Sequence, residues 1–237
     1  KEGFRMLKKI LLAIAVLVAY LLLWPVPVEP VSWAAPLDKG FVGDFEENKK
    51  LAAIEIILLP DTHGPEGLAF LDEEVYAATR EGWIVRYNPK TGEQVKWVNT
   101  QGSPLGIVFD ADNNLLIADA YKGLLKVSPA GIISVLTRTV DGTDIDYADD
   151  LDVTADGKIY FSDASTKFGA QSYGGTYAAS LLDTMEHGGH GRLLVYDPAD
   201  ESTKLLMDGL NFANGVAVDA DSQFVLVNEA VVYRFYQ

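Results

Sequence analysis

No cysteine occurs in the 237 residues, so no disulfide staples the fold and no thiolate is on hand as a metal ligand. That absence does not name a compartment, because disulfides are permitted outside the cytosol but not required there. Basic residues are scarce. Lys and Arg number 19 against 34 Asp and Glu, a formal net charge of −15, and no cluster of Lys or Arg is interleaved with aromatics. A polyanion would be repelled, which excludes nucleic acid as a partner and leaves cations and neutral small molecules. The three histidines do not form a metal-ligand pattern. No nucleophile elbow or Ser-His-Asp order is visible, and Gly188-Gly189 lacks the Lys and following helix of a phosphate loop.

Long apolar runs are confined to one place. From Ile10 to Val28 the chain is uncharged, and Arg5, Lys8 and Lys9 precede it. The run approaches the ~20 residues that a bilayer-crossing helix needs, and Trp24 and Trp33 suit the far interface. The basic flank then predicts a single-pass anchor (1–36, flank included) with the rest of the chain outside the cytoplasm. Ser32-Trp33-Ala34 loosely imitates a small-x-small cleavage site, so a secreted or periplasmic product of signal cleavage is the alternative. The nearby prolines at 25, 27, 30 and 36 argue against a buried core helix. Residues 37–53 read as a polar linker.

Beyond the linker, 54–237 repeats itself. Pro65–Phe70, Pro104–Phe109, Ala148–Val153 and Ala213–Val218 align on Gly67, Gly106, Asp150 and Gly215. Each is followed by a polar turn and a second β run ending at Thr79, Asp119, Asp163 or Asn228. A third run follows in the first three units, at Trp83–Tyr87, Leu124–Val127 and Leu193–Tyr196, and stops at Asn-Pro, Ser-Pro or Asp-Pro, where proline removes the donor. Units starting near 65, 104, 148 and 213 predict four-stranded antiparallel blades around an axis, an all-β propeller. The third spacing is long because 165–191 is inserted. This segment is rich in Gly and aromatics and holds two of the histidines, so it reads as a lid or binding loop or as a surface excursion.

The motifs carry a resemblance. Gly64-Pro65-Glu66-Gly67, Tyr147–Val153 leading into Ile159–Ser165, His190–Pro198 and Asn211–Val218 are similar to the strictosidine-synthase-like family. With the apolar N-terminal run, they resemble its adipocyte plasma-membrane-associated branch and bacterial relatives most. The resemblance runs from about Ile54 to Asn228. It implies six blades, of which about four are present, and hence a fragment, with residues 1–5 read as preceding a start at Met6. It also implies that Ile54–Leu59 supplies the outer strand of the last blade. The wider superfamily includes calcium-dependent gluconolactonases and paraoxonases.

In a propeller the inner strands line the central channel, so one repeat position converges on the axis. The residue before the aligned Gly or Asp is Glu66, Leu105, Asp149 or Asn214. Two carboxylates and an amide at close quarters repel or stay unpaired unless a cation joins them. Glu66, Asp149 and Asn214 are therefore the candidate metal ligands. Hard oxygen donors point to Ca²⁺, with Mg²⁺ or Mn²⁺ as alternatives. The resemblance implies a further Asp from a later blade, and relatives commonly carry Asn where this chain has Asp149. Asp119, Asp163 and Asn228 read as turn-capping groups, and Asp152 as either a blade-edge group or part of the axis face. Among the histidines His190, beside the third strand of its blade, is the candidate general base. The expected activity is membrane-anchored, calcium-dependent hydrolysis of an ester or lactone. A metal-free condensing enzyme of the strictosidine synthase type and a non-catalytic binding propeller are the alternatives.

Overall fold

A computed structural model describes residues 2–59 and 61–237, so Lys1 of the expected anchor lies outside the described residues. The first element is an α-helix, α1 (Glu2–Leu23), with no buried residue. It is long and apolar enough, by length and composition, to cross a membrane.

Three four-stranded antiparallel sheets and one three-stranded sheet come after it, each in simple sequence order. The first holds β1 (Leu68–Leu71), β2 (Glu74–Ala78), β3 (Trp83–Tyr87) and β4 (Gln94–Asn99). The second holds β5 (Pro104–Phe109), β6 (Leu115–Asp119), β7 (Gly123–Val127) and β8 (Ile133–Thr137). A short hairpin of β9 (Thr139–Val140) and β10 (Thr143–Asp144) leads to the third, with β11 (Ala148–Val153), β12 (Ile159–Asp163), β13 (Gly191–Asp197) and β14 (Ser202–Leu210). The last holds β15 (Ala213–Val218), β16 (Val225–Glu229) and β17 (Arg234–Tyr236). The first strands of successive sheets lie side by side. This is the blade arrangement of a propeller.

Strand periodicity explains how the blades stack. In the second sheet Leu116, Ala118 and Leu124 pack toward the third sheet, while Leu115, Ile117, Leu125 and Val127 pack toward the first. Successive residues point to opposite faces, and with a sheet on either side β6 is buried at every position. Each fully buried Leu or Ile there contributes about 1.5–3 kcal/mol of transfer free energy. Between the third and fourth sheets, carboxylates add a polar seam. Asp150 Oδ2 accepts from Val216 N at 2.9 Å and Asp152 Oδ2 from Val218 N at 2.8 Å. Asp152 is thus a blade-edge group.

Three sequence expectations are refined. The repeat position closing the second strand is occupied in the last sheet by Glu229, not Asn228. Ala213 pairs with Glu229, as Pro104 pairs with Asp119 and Ala148 with Asp163. The cause is a longer turn, closed from Asp219 N to Phe224 O, where its counterparts close from Asp110 N to Asn114 O and from Thr154 N to Lys158 O. Second, the inserted segment is ordered and contains an 11-residue helix, α2 (Thr176–Glu186). Third, Ile54–Leu59 forms no strand, and Ile54, Ile56 and Leu58 are exposed.

Candidate functional site

The inner strands β5, β11 and β15 share one irregularity. The register shifts between Pro104 and Ile107, between Ala148 and Leu151, and between Ala213 and Val216. A bulge leaves residues unpaired and re-aims their side chains. The residues within it are Leu105-Gly106, Asp149-Asp150 and Asn214-Gly215, so the repeat turns its second strand position toward the axis. Close packing of neighbouring strands restricts the residue next to it. A Cβ on Gly67 would come 2.1 Å from Leu105 O, and one on Gly106 would come 2.7 Å from Asp150 Cα. Glycine is required wherever the next blade's backbone sits that close.

Glu66, Leu105, Asp149 and Asn214 all line one cavity of about 300 Å³. The structure therefore brings the three candidate ligands together. Asp149 is buried at 4% exposure, Asn214 is half-buried, and Glu66 reaches the cavity from its open side. Asn214 Nδ2 donates to Asp149 Oδ2 at 3.0 Å, which leaves the amide oxygen free for another partner. Among the described residues the only cationic side chain on the wall is that of Arg80, which is exposed. Burial raises the Asp149 carboxyl well above its ordinary range, and the charges of Glu66, Asp150 and Asp163 push the same way. The Glu66 carboxyl is raised by desolvation and then by Asp150.

The remaining predicted groups lie elsewhere. His190 does not line the cavity. Its Nε2 meets Glu186 Oε1 at 2.6 Å and its ring stands edge-on to Phe168. His63 pairs with Glu81 at 2.7 Å on the surface, and His187 caps α2 in the left-handed conformation. Asp119 Oδ1 accepts from Ser103 N and Tyr121 N. Asp163 accepts from Tyr147 N at 3.0 Å and holds Arg192. Both are structural, as is Glu229, which accepts from Asn211 N.

The comparisons with known proteins agree with the topology. Residues 149–237 match the family model for strictosidine synthase, and residues 43–87 match that for strictosidine synthase-like proteins, N-terminal. The chain is 31% identical over 239 aligned residues to the adipocyte plasma membrane-associated protein of Rattus norvegicus, covering 94% of this chain and 61% of the relative. It is 33% identical to strictosidine synthase-like protein 6 of Arabidopsis thaliana, covering 78% and 50%. The chain belongs to the strictosidine-synthase-like family. It spans about half to three fifths of the length of these curated relatives. Among solved structures it is similar to a gluconolactonase of Xanthomonas campestris, with a TM-score of 0.57 at 20% identity over 70% of this chain and 54% of that one. It is also similar to the calcium-binding protein regucalcin of Agrobacterium tumefaciens, with a TM-score of 0.54 at 13% identity over 72% and 52%. At such identities the likeness is one of fold, and it is a propeller fold.

In this strictosidine-synthase-like chain a second repeat position was missed by sequence reasoning. Gly64, Ser103, Tyr147 and Phe212, each two residues before a candidate axis residue, line the same cavity. The signal was present in the repeat, but Gly, Ser, Tyr and Phe share no chemistry that would mark the position. Thr176, Tyr177 and Ser180 complete the wall from α2, and Tyr147 OH donates to Thr176 O at 2.8 Å. Among the described residues no group of three or more His, Asp or Glu is placed to hold a metal ion. The trio offers two carboxylates and one amide. That set fits a hard cation in donor type, with the rest of its six to eight oxygens left to water, substrate or other groups.

Proposed function

We propose that this protein is a membrane-tethered hydrolase of esters or lactones that depends on a divalent cation, Ca²⁺ in the first place. One observation carries the reading. Asp149 and Asn214, from the bulges of β11 and β15, and Glu66, from the segment just before β1, line a single cavity at the axis, and an exposed arginine is the only cationic side chain among the described residues of its wall. A buried carboxylate so poorly compensated, as Asp149 is, is costly unless protonated or joined by a positive ion. The names of two fold neighbours, a gluconolactonase and a calcium-binding protein, support the same class.

Glu66, Asp149 and Asn214 would hold the ion, which when bound supplies a Lewis acid to polarise an ester carbonyl. The Asn214 amide keeps Asp149 oriented through its hydrogen bond of 3.0 Å. Leu105 and Phe212 give the cavity apolar wall on which the acyl or aryl part of a substrate can rest. The Tyr147 hydroxyl is tied to α2, and burial raises its pKa further, so it serves as a neutral donor and not as a base. The water-activating group belongs among the cavity carboxylates, and Glu66, the more accessible one, is the better placed. His190, locked to Glu186 away from the cavity lining, would serve only if α2 moved.

The test compares variants of the full protein. Glu66→Gln should weaken calcium binding in titration calorimetry and lower hydrolysis of phenyl acetate or a simple lactone, since the amide keeps shape and loses charge. Asp163→Asn should spare calcium affinity and reduce stability, by up to the roughly 3–5 kcal/mol typical of breaking a buried ion pair. Equal loss of calcium binding in both variants, or hydrolysis indifferent to chelator, would overturn the metal reading. The family match favours a second reading, metal-free condensation of the strictosidine synthase type, and chelator-insensitive condensation would be its signature.

A further inference from the structure

Helix α2 is built inside out. A surface helix ordinarily turns its apolar residues inward and its charges to water. Here the charged residues, Asp183 and Glu186, are buried together with Ala179. The outward face carries Tyr177, Leu181 and Met185, exposed at 69%, 44% and 57%. These three lie at i, i+4 and i+8, one above the other on a single stripe. Thr184 is the fourth exposed position, so the outer face of α2 bears no charge.

The chain leaving α1 is fastened to the end of this same helix. Glu29 N donates to Glu186 Oε2 at 2.8 Å, and Val31 N donates to Glu186 O at 2.7 Å. Lys167 Nζ bridges Glu186, at 2.8 Å, and Glu29, at 3.4 Å. Trp33 stacks on His187 with centroids 5.0 Å apart. The connection from Leu23 to Glu29 reaches at most about 20 Å even when fully extended. Helix α2 is itself only about 16 Å long at roughly 1.5 Å per residue. The Glu186 end of α2 therefore lies within about 20 Å of the point where α1 ends, and Tyr177 lies about 14 Å farther along the helix.

We propose that α2 rests on the bilayer surface, with Tyr177, Leu181 and Met185 in the interfacial layer, so that the axis cavity opens beside lipid. The occupant of the stripe is lipid and not a partner protein because the tether that fixes α2 is the continuation of the membrane-crossing helix. Exposed Trp24 at the end of α1 and Tyr177 on α2 are the residue types that favour the headgroup region. Apolar contact, not charge, drives the association, since a chain of net charge −15 is repelled by anionic lipid. Tyr177 and Ser180 also line the cavity, so the wall of the site and the lipid-facing helix are one element. A substrate dissolved in the membrane then reaches the site without crossing bulk water. The proposal rests on α1 spanning the membrane, not on the hydrolase reading.

The absence of cysteine gives a clean test. Leu181→Cys and Met185→Cys are each labelled with a polarity-sensitive fluorophore and reconstituted in phosphatidylcholine vesicles, with or without a lipid carrying a shallow nitroxide quencher. Leu12→Cys in α1 reports insertion, and Thr91→Cys, in the β3–β4 turn at the opposite end of the sheets from the cavity, reports background. Labels at 181 and 185 should lose most of their emission to the quencher lipid, and the label at 91 none. Unquenched 181 and 185 labels in a sample whose Leu12 label is quenched would overturn the proposal. Water-like emission there would mean a solvated face, and blue-shifted emission a face covered by protein, whether a second copy or another segment. An unquenched Leu12 label would overturn the tether and the proposal with it, while hydrolysis measured on the same samples would stand apart from both.

Discussion

At the residue scale, Asp149 sets the balance between stability and function. Its carboxyl is buried and titrates well above the ordinary value of 3.8, from desolvation first and from neighbouring acids second. Asp150 is raised as well, burial outweighing the backbone donors of Val216 and Leu151. With a native pKa above the unfolded one, the folded state binds more protons than the unfolded chain in the interval between them. Stability then falls as pH rises through that interval. Without a divalent ion, the thermal midpoint should be higher in mildly acidic buffer than at neutral pH. Asp149→Asn should flatten that slope and raise the neutral-pH midpoint, while weakening calcium binding. Calcium at about 100 times its dissociation constant should add about 2.7 kcal/mol to the native chain at neutral pH. A calorimetric scan series with and without chelator measures all three, and a pH slope unchanged in Asp149→Asn would place the proton elsewhere.

At the scale of elements, the repeat made much of the fold legible, because the same physical demand recurs in each blade. Second strands predicted at Leu115–Asp119 and Ile159–Asp163 are observed with those ends. The Gly after the axis residue was visible as an alignment mark, and its reason at Gly67 and Gly106, a neighbouring backbone within 3 Å of any Cβ, needed coordinates. The Asn228 assignment slipped to Glu229 because one extra turn residue is invisible to a pattern that counts from the previous strand. Helix α2 was hidden by Gly-rich flanks and by an inward-facing acid pair that reads as a polar loop. Convergence of Glu66, Asp149 and Asn214 was legible from strand position, whereas the place of His190 depended on a helix the sequence did not reveal. The glycine argument makes its own prediction. Gly106→Ala should lower the urea midpoint, with overpacking of this kind costing roughly 1–3 kcal/mol. Gly215→Ala, whose Cβ would meet the end of the Asn228 side chain at 3.3 Å, should cost less, because that side chain can swing away. Equal losses would mean that the inner strands are free to shift.

At the scale of the whole molecule, the question is how the blades and the N-terminal helix belong together. Val28 packs against the cluster of Leu105, Tyr147, Phe168 and Phe212 above the sheets, and Trp33 lies near both His187 and Tyr233. The segment after α1 is therefore part of the packed domain. This bears on whether the helix is a lasting anchor or a leader removed after export. The imitation cleavage site at Ser32-Trp33-Ala34 sits in the stretch that Glu186 and His187 hold against α2, and cutting there requires that stretch to be extended and free. Folding of the blades thus competes with cleavage. The protein should remain with membranes through carbonate extraction, at its full length. Protease added from outside the cytoplasm should reach the blades and leave a short N-terminal piece in the membrane, as the basic flank of Arg5, Lys8 and Lys9 predicts. A soluble product beginning near Ala35 would overturn this and make α1 a signal peptide. Blades digested only from the cytoplasmic side would keep the anchor and reverse its orientation.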